Sequence, residues 1–307
     1  MSRETASHTT ACPITELRHI AVGVDPAAQS RDAALLASRI AAATDGDLML
    51  MTVEPELPLL LPGADQRRAR RETETMLSRI RAVDAPGART AITTDLSVAR
   101  GIRRLARTEH RQLVVVGSRS HGPAGEVSVG HNVRQLLDGL QGALAIAPRG
   151  LSAHPDFQLG RIGVGFDGGP EAATALAAAA TLVRGSDAEL VVRGVIDDRV
   201  PALGWPHVWM GAIMQAWTEV MDDEARDLER QIEGAISDLK IKATVEITRG
   251  RSAEELRELS AELDLLVIGS RRWGPLARLL LGGTGEGLVH GSRCPLLIVP
   301  RPADTHE

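Results

Sequence analysis

An aspartate and a glycine-bounded loop occur together in each half of this 307-residue chain. In the first half Asp25 ends a short apolar run, and the loop spans residues 117–130. In the second half the same features are Asp167 and residues 269–282. A carboxylate accepts hydrogen bonds from amino or hydroxyl groups, and a glycine-rich loop lets backbone N–H groups approach phosphate oxygens. Together these residues suit a nucleotide.

The two halves are copies of one unit. Gly-Ser-Arg-Ser-His-Gly-Pro at 117–123 returns as Gly-Ser-Arg-Arg-Trp-Gly-Pro at 269–275, an offset of 152 residues. A repeat of this length is the size of a whole domain and too long for a solenoid unit. We therefore expect two domains, over residues 14–149 and 159–301, joined by a short linker.

Each half reads as alternating strands and helices, and most of the strands are continuous apolar runs. Such runs are typical of a parallel sheet covered by helices on both faces, and the alternating order indicates the same α/β class. The predicted strands are His19–Val24, Leu48–Val53, Arg89–Thr94, Leu113–Val116 and Ala143–Ala147, then Arg161–Phe166, Glu189–Ile196, Ala243–Thr248, Leu265–Ile268 and Pro295–Val299.

Helix starts can be placed from residue type. Pro170 suits the first turn of a helix, where its missing N–H costs nothing. Ser252 begins a capping-box pattern, Ser-x-x-Glu. Asn132 and Thr284, which follow the two loops at equivalent positions, are predicted N-caps.

The fold class predicts where the acid and the loop meet. In doubly wound sheets, ligands bind beyond the carboxyl ends of the strands, where the strand order reverses. Asp25 follows the first strand and Gly117 the fourth. If these two strands are neighbours, the carboxylate and the loop face each other across one crevice.

Composition excludes several function classes. A net charge of −5 gives no basic footprint, so we expect no nucleic-acid partner. The longest apolar stretch, Ala172–Val183, is too short to span a bilayer, and no apolar leader is found near the start of the chain. Cys12 and Cys294 lie at non-equivalent places, which favours a reducing compartment. We expect a cytoplasmic protein without a membrane partner.

Catalytic and metal motifs are not evident. The Gly-x4-Gly spacing of each loop leads to Pro123 or Pro275, where a Walker A motif needs Lys and Ser or Thr. His110, His121 and His131 match no metal-ligand spacing. No nucleophile elbow or catalytic triad is recognisable. We expect neither a metal site nor an enzyme.

The arrangement resembles the universal stress protein family, specifically its tandem two-domain members, from about Leu17 to Pro300. The similarity is carried by Val-Gly-Val-Asp at 22–25, Val-Gly-Phe-Asp-Gly-Gly-Pro-Glu-Ala at 164–172 and Cys-Pro-Leu-Leu-Ile-Val-Pro at 294–300. The resemblance implies five-stranded parallel sheets of order 3-2-1-4-5 in two domains related by a pseudo-two-fold axis. It also implies ATP binding through an acid after strand one and a loop of pattern Gly-x2-Gly-x9-Gly-Ser/Thr after strand four.

Residue by residue, the resemblance makes Asp167 the adenine-side acid and Val195 a lining residue of the base pocket. The phosphate loop is bounded by Gly269 and Gly282, and Gly283 and Thr284 follow it. In the first copy the equivalent residues are Asp25, Val53, Gly117 and Gly130.

Both loops depart from the family pattern. Its second glycine is Arg272 in the second copy and Ser120 in the first, and its Ser/Thr is replaced by Gly283 and His131. Arg272 can either contribute a cation to a phosphate or fill the site. The second copy is the closer match to the family.

The sequence therefore predicts a stress-response regulator that binds an adenine nucleotide, with ATP, AMP and cyclic AMP all open and Mg accompanying the nucleotide. The resemblance also implies a homodimer. The alternative is a degenerate scaffold that binds no nucleotide and acts through protein partners, and a slow ATP hydrolase is a third hypothesis. The segment Trp205–Trp209, with Trp217, is interpreted as an apolar cluster, a pocket lid or a subunit interface.

Overall fold

A computed structural model describes residues 14–55, 63–121, 123–198, 210–273, 278–280 and 282–301. The strands are β1 (His19–Gly23), β2 (Asp47–Pro55), β3 (Arg89–Asp95), β4 (Leu113–Gly117), β5 (Ala143–Ala147), β6 (Arg161–Phe166), β7 (Glu189–Ile196), β8 (Thr244–Arg249), β9 (Leu265–Trp273), β10 (Arg278–Leu280) and β11 (Leu296–Pro300). The helices are α1 (Gln29–Thr44), α2 (Gly63–Val83), α3 (Val98–Thr108), α4 (His131–Leu137), α5 (Pro170–Ser186), α6 (Met210–Leu239), α7 (Ser252–Leu259) and α8 (Gly283–Leu288).

The strands form one sheet in the order β3-β2-β1-β4-β5-β11-β9-β6-β7-β8, with β10 paired to β9 alone. Counted within each domain, both halves have the order 3-2-1-4-5, and the neighbours inside each half run parallel apart from the β9–β10 pair. The predicted doubly wound α/β fold is confirmed.

The two domains join through their fifth strands. β5 and β11 pair antiparallel, with Ala145 opposite Leu297 and Leu144 opposite Ile298. Ala145 and Leu297 are equivalent positions, since 297 − 145 = 152, the offset of the repeat. A strand pair that matches each residue with its own counterpart places a pseudo-two-fold axis at that point. The predicted relation between the domains is therefore confirmed.

Two helical layers cover this sheet. Helices α1, α2, α5 and α6 pack on one face, while α3, α4, α7 and α8 pack on the other, and each face has a core that continues across both domains. Every residue of β5 and β11 is buried, which explains why these strands read as uninterrupted apolar runs. The edge strands β3 and β8 are more exposed.

Small residues let α1 and α5 approach each other across the domain boundary. Ala175, Ala178 and Ala179 of α5 are fully buried in the core shared with α1. Gly185 lies so close to Ala43 that an added Cβ atom would overlap the Ala43 carbonyl oxygen. The alanine-rich composition of both helices thus has a packing reason.

The linker is held by a buried carboxylate. Asp32 of α1 is 2 % exposed, and its two oxygens accept hydrogen bonds from the backbone N–H groups of Gly150 (2.9 Å) and Ser152 (2.7 Å). Arg39 of the same helix donates to the carbonyl oxygen of Pro155. The linker is therefore part of the packed structure and fixes the exit from the first domain.

Three local predictions are wrong. The helices after the loops are capped by Gly130 and Gly282, so Asn132 and Thr284 are second helical residues and no side chain caps either helix. The capping box at Ser252 is not formed either, because the Arg251 carbonyl already accepts the first helical hydrogen bonds and Arg251 is the N-cap.

Strand β9 is longer than predicted and is followed by a strand that the sequence did not indicate. It continues to Trp273, and its last residues pair antiparallel with β10. The backbone of Arg272 thus lies in a strand opposite Leu279. Gly269 suggested that the strand ends there, but pairing of the backbone with β10 continues the strand beyond it.

The aromatic segment is only partly described. Residues 205–209 lie outside the described residues, whereas Trp217 lies in α6 and packs against the core shared with α5. Within the described ranges, no helix has the length and apolar character to span a bilayer.

A charged cluster joins the start of β2 to its neighbours. Asp47 accepts hydrogen bonds from Arg89 (2.9 Å), Arg111 and His19. Partial burial opposes the ionisation of Asp47, but these three donors outweigh it and lower its pKa from 3.8 to about 2. The cluster ties β1, β2 and β3 to the turn before β4.

We expect Gly185→Ala to destabilise the protein by about 1–3 kcal/mol, because the new methyl group would overlap the backbone of α1. Chemical denaturation of the full chain measures this loss. The matched control is Gly234→Ala in α6, where an added Cβ meets no atom within 4 Å and should stabilise by about 0.4–1 kcal/mol. Equal effects of the two substitutions would contradict the close packing of α1 and α5.

Asp47 should make stability depend on acidity. Its pKa is lower in the folded chain than in the unfolded chain, so its contribution is present above about pH 4 and is lost as the pH falls towards about 2. The difference in free energy of unfolding between the wild type and Asp47→Asn should therefore shrink over that interval. Denaturant titrations at a series of pH values measure it, and a constant difference would show that the cluster does not stabilise the ionised carboxylate.

Candidate functional site

Asp25 and the first loop meet at one cavity. β1 pairs with β4, with Ile20 opposite Leu113, so the carboxyl ends of the two strands lie side by side. This is the condition under which the acid and the loop were expected to share one crevice. The cavity has a volume of about 380 Å³. Its lining includes the predicted residues Asp25, Val53, Gly117 and Gly130, and also Ser120 and His131, the two departures from the loop pattern. The other lining residues include several that the sequence did not assign to a site: Ser30, Met51, Val98, Ile102, Arg119 and Asn132.

Asp25 combines a turn with an exposed position in this cavity. Its Oδ1 atom accepts hydrogen bonds from the Ala27 backbone N–H (2.9 Å) and the Ser30 hydroxyl (2.8 Å). The Ser30 hydroxyl oxygen in turn accepts from the backbone N–H of Asp25. Oδ2 makes no hydrogen bond to any described residue, so it can accept one from a ligand. Asp25 can therefore form the turn with one carboxylate oxygen and accept a hydrogen bond from a ligand with the other.

The second domain repeats the arrangement in a larger cavity of about 540 Å³. The predicted residues Asp167, Val195, Gly269, Gly282, Gly283 and Thr284 all line it. Residues that the sequence did not indicate also line it, among them Glu171, Arg193, Ser252, Leu256 and Ser270. The side chain of Arg272 lies outside the described part of the structure, so its position towards or away from the cavity is still a prediction.

Asp167 forms the same kind of turn as Asp25, but with fewer partners. Its Oδ1 atom accepts a hydrogen bond from the Gly169 N–H (3.0 Å), and the intervening Gly168 has a φ of 79°. Only glycine adopts such a φ readily, which accounts for the Asp-Gly-Gly sequence. Ala172 stands where the first domain has Ser30, so this carboxylate lacks the supporting hydroxyl group.

The wall beside the acid differs between the two cavities. In the first it is apolar, being formed by Met51, Val53, Val98 and Ile102. In the second, the same places hold Arg193, Val195, Ser252 and Leu256. The equivalence follows from the register, since Met51 lies opposite Gly23 and Arg193 opposite Gly165, each two residues before the acid. Val98 and Ser252 are the first residues of their helices.

Arg193 is held rigidly in the second cavity. Its Nε donates to Glu246 of β8 (3.0 Å), Nη2 donates to the same carboxylate oxygen, and Nη1 donates to the Glu255 carbonyl oxygen (3.1 Å). The arginine side chain is 15 % exposed and the glutamate side chain 29 % exposed. The sequence signal that could have revealed this pair is a charged residue in the apolar run of β7.

Gly117 and Gly269 have a packing role. A Cβ atom on Gly117 would lie 2.5 Å from the Gln29 carbonyl oxygen, and one on Gly269 would overlap the backbone of Glu171. In each domain this glycine of the fourth strand therefore lies against the first turn of the helix that follows the first strand. These glycines allow the acid-bearing turn and the loop to approach each other.

The glycines at the far ends of the loops have no such neighbours. A Cβ atom on Gly282 or Gly283 would meet no atom within 4 Å, and one on Gly130 would make only an ordinary 3.6 Å contact with Arg119. Gly130 and Gly282 have extended backbones that any residue can adopt. Their missing side chains leave open space at the cavity, next to the first N–H groups of α4 and α8, which have no partner within their helix.

Each loop is stabilised by pairing of its own two sides. In the first domain the Arg119 N–H donates to the Ser128 carbonyl oxygen (2.8 Å), and Ser118 anchors the base of the loop through its bond to Ala147. In the second domain the corresponding residues, Arg271 and Leu280, begin the β9–β10 ladder. Backbone pairing thus joins the two sides of each loop close to its base.

The first loop also contacts the second domain. The N–H groups of Val127 and Val129 donate to the carbonyl oxygens of Ser292 (2.7 Å) and Val289 (3.2 Å), just after α8. Nearby, Arg134 donates to Glu286 (3.2 Å) and to the His290 ring (2.7 Å). Partial burial and Arg134 lower the pKa of His290, which favours the neutral ring as an acceptor. The first turn of helix α8 therefore lines the second cavity, while the residues that follow its last turn hold the loop of the first cavity.

Comparison with known proteins gives a consistent result. A profile described as the Universal stress protein family matches residues 16–141 and again residues 159–300. A universal stress protein of Mycolicibacterium smegmatis is 26 % identical over 304 residues, which cover 91 % of this chain and 96 % of that protein. A universal stress protein of Methanocaldococcus jannaschii is 25 % identical over 144 residues, covering 46 % of this chain and 82 % of its own length.

Solved structures agree in fold. The crystal structure of a universal stress protein from Archaeoglobus fulgidus covers 95 % of this chain and 100 % of its own length, with a TM-score of 0.63 and 15 % identity. A functionally unknown protein from Pseudomonas aeruginosa covers 94 % of both chains with a TM-score of 0.61 and 15 % identity. At these identities the likeness shows the shared architecture, while the two profile matches show the family. The chain belongs to the universal stress protein family and carries two copies of its domain in tandem.

Proposed function

We propose that this protein binds an adenine nucleotide, with ATP as the first ligand to test, and that occupancy regulates its contacts in a stress response. The observation that carries the proposal is the meeting of an acid and an open glycine-lined surface in one cavity of each domain. Asp25 or Asp167 would accept a hydrogen bond from the base or the ribose. The backbone around Gly130 or Gly282 would face the phosphates.

The two cavities support the proposal in different ways. The second loop is closer to the family pattern, and its Gly282 and Gly283 leave open space for phosphate oxygens. The first cavity offers an apolar wall of Met51, Val98 and Ile102 for a purine ring, and an aspartate supported by a hydroxyl group. Burial of an aromatic base against apolar side chains is favourable, so we infer that the first cavity is the better adenine site.

Magnesium would come with the phosphates of the ligand. Among the described residues, no group of three or more His, Cys, Asp or Glu side chains is placed to hold a metal ion. A nucleotide-bound ion keeps several waters and needs few protein ligands. The proposal therefore requires no protein metal site.

We propose binding rather than catalysis. One oxygen of each cavity acid is committed to a turn, an arrangement that fits positioning of a ligand. A nucleotide can act as a regulator only if it binds two states of the protein with different affinity. The contact between the first loop and residues 289–292 gives the two domains a shared element on which such a difference can act. The homodimer is still a prediction, which light scattering with and without nucleotide tests.

The second candidate function is a scaffold that binds no nucleotide and acts through protein partners. Ser120 and Arg272, which interrupt the glycine pattern of the loops, favour it. Small molecules released by acid from freshly purified protein separate the two candidates. Adenine nucleotide in the extract supports the first, whereas an empty extract and no heat on ATP titration support the second.

Asp25→Asn and Asp167→Asn should each weaken ATP binding in their own cavity by about tenfold or more, because a charged acceptor is replaced by a neutral one. The amide oxygen can still accept from the turn, so folding should be unaffected. Titration calorimetry on nucleotide-stripped protein measures the affinities, and thermal unfolding is the control. Unchanged affinity in both variants would refute the assignment of these acids.

Substitution of two glycines of the second loop should have different effects, a loss of stability at Gly269 and a loss of ligand binding at Gly282. Gly269→Ala should destabilise the protein by about 1–3 kcal/mol, because the new methyl group would overlap the backbone at Glu171. Gly282→Val should leave the unfolding midpoint nearly unchanged but abolish binding in the second cavity, because its side chain would occupy the open space. Gly117→Ala and Gly130→Val are the matched pair in the first domain. Loss of stability in Gly282→Val, or normal binding by it, would contradict this division of roles.

A further inference from the structure

We propose that the second cavity selects guanine over adenine nucleotides, with Arg193 as the specificity-determining residue, so that the two domains bind different bases. This inference rests on the proposed function, since it assumes that the cavities bind nucleotides. It starts from the difference between the walls of the two cavities. Their residues occupy the same register positions, but the side chains are apolar in the first cavity and partly polar or charged in the second.

The Arg193–Glu246 pair is a feature of the second domain alone. The two residues lie directly opposite each other on β7 and β8. At the same register in the first domain, Met51 lies opposite Ala91. Met51 and Ala91 of the first domain are thus replaced by Arg193 and Glu246 in the second. The guanidinium group of Arg193 adds a positive charge to the wall of the second cavity. The neighbouring change from Val98 to Ser252 makes that wall more polar still.

Arg193 keeps donors for a ligand. Its guanidinium group has five N–H bonds, and three of them are directed to Glu246 and Glu255. One N–H remains on Nη1 and one on Nη2, at a side chain that lines the cavity. Because Glu246 and Glu255 hold the group, these two donors have a fixed direction. A ligand edge that presents two acceptors would use both of them.

A guanine ring has that edge and adenine does not. Guanine offers the acceptors N7 and O6 side by side, which is the usual partner of an arginine, while adenine offers N7 beside its N6 amino donor. An adenine in the same position would place its amino group against an arginine N–H. Guanine also carries an amino group on C2, which suits the carboxylate of Asp167 in the same cavity. In the first cavity Met51 makes no such distinction.

The experiment measures the second cavity in the Gly130→Val variant, whose new side chain occupies the open space next to α4 in the first cavity. Titration calorimetry compares GTP and GDP with ATP and ADP on stripped protein. We expect guanine nucleotides to bind about tenfold or more tightly than adenine nucleotides. Equal affinities, or a preference for adenine, would overturn the inference.

The double variant Arg193→Met with Glu246→Ala gives the wall the pair found in the first domain and leaves no unpaired charge. We expect it to lose the guanine preference while its thermal unfolding stays close to that of the parent. The reciprocal variant, Met51→Arg with Ala91→Glu in a Gly282→Val background, should shift the first cavity towards guanine. A guanine preference that survives removal of Arg193 would refute its role.

The outcomes also separate this inference from the proposed function. If the first cavity binds ATP in an Asp25-dependent way and the second shows no guanine preference, the proposed function stands and the specificity inference fails. If neither cavity binds any of the four nucleotides, both fail.

Discussion

The antiparallel pairing of β5 with β11 is the interaction on which the rest of the molecule depends. It joins two five-stranded sheets into one and places equivalent residues, Ala145 and Leu297, opposite each other. With both fifth strands fully buried, no edge is left at the centre of the protein, and the helical layers on the two faces become continuous across the domains. Because β5 and β11 run antiparallel, the carboxyl ends of the strands in the two domains point in opposite directions, so the two cavities lie at opposite ends of the sheet.

That symmetry places the loop of the first domain against the second domain, just after α8. The loop of the first cavity is hydrogen-bonded to the residues that follow α8, and the first turn of α8 lines the second cavity. Arg134 and Glu286, which are equivalent positions since 286 − 134 = 152, form an ion pair across the pseudo-two-fold axis. Helix α8 thus connects the second cavity to the loop of the first domain, so that under the proposed function any coupling between the two sites would act through it and would be reciprocal.

The two domains share the glycines that shape the backbone at the cavities, but they differ in the side chains that line the cavity walls. Gly117 and Gly269 are retained because the backbone of the next helix leaves no room for a side chain, a constraint that acts whatever the ligand. Met51 and Arg193 occupy the same register position, and there an apolar residue in one domain stands where the other domain has a cation. Duplicated domains can diverge in ligand chemistry at such positions without loss of the fold.

Much of this protein was readable from the sequence. The 152-residue repeat, the continuous apolar runs and the alternation of strands and helices determined two doubly wound domains, because hydrophobic periodicity is a local property of the chain. Asp25, Asp167 and the loop glycines line the two cavities, because within each domain they lie beside the carboxyl ends of neighbouring strands.

Tertiary structure decided what depends on partners distant in the chain. Only the β5–β11 register fixed how the domains meet, and only the approach of Glu171 to Gly269 separated a packing glycine from an open one. The extension of β9 came from pairing with β10, and the importance of Arg193 came from Glu246, a residue on another strand. A sequence pattern records which residues are present, whereas hydrogen bonds and steric exclusion act between residues that only the folded chain brings together.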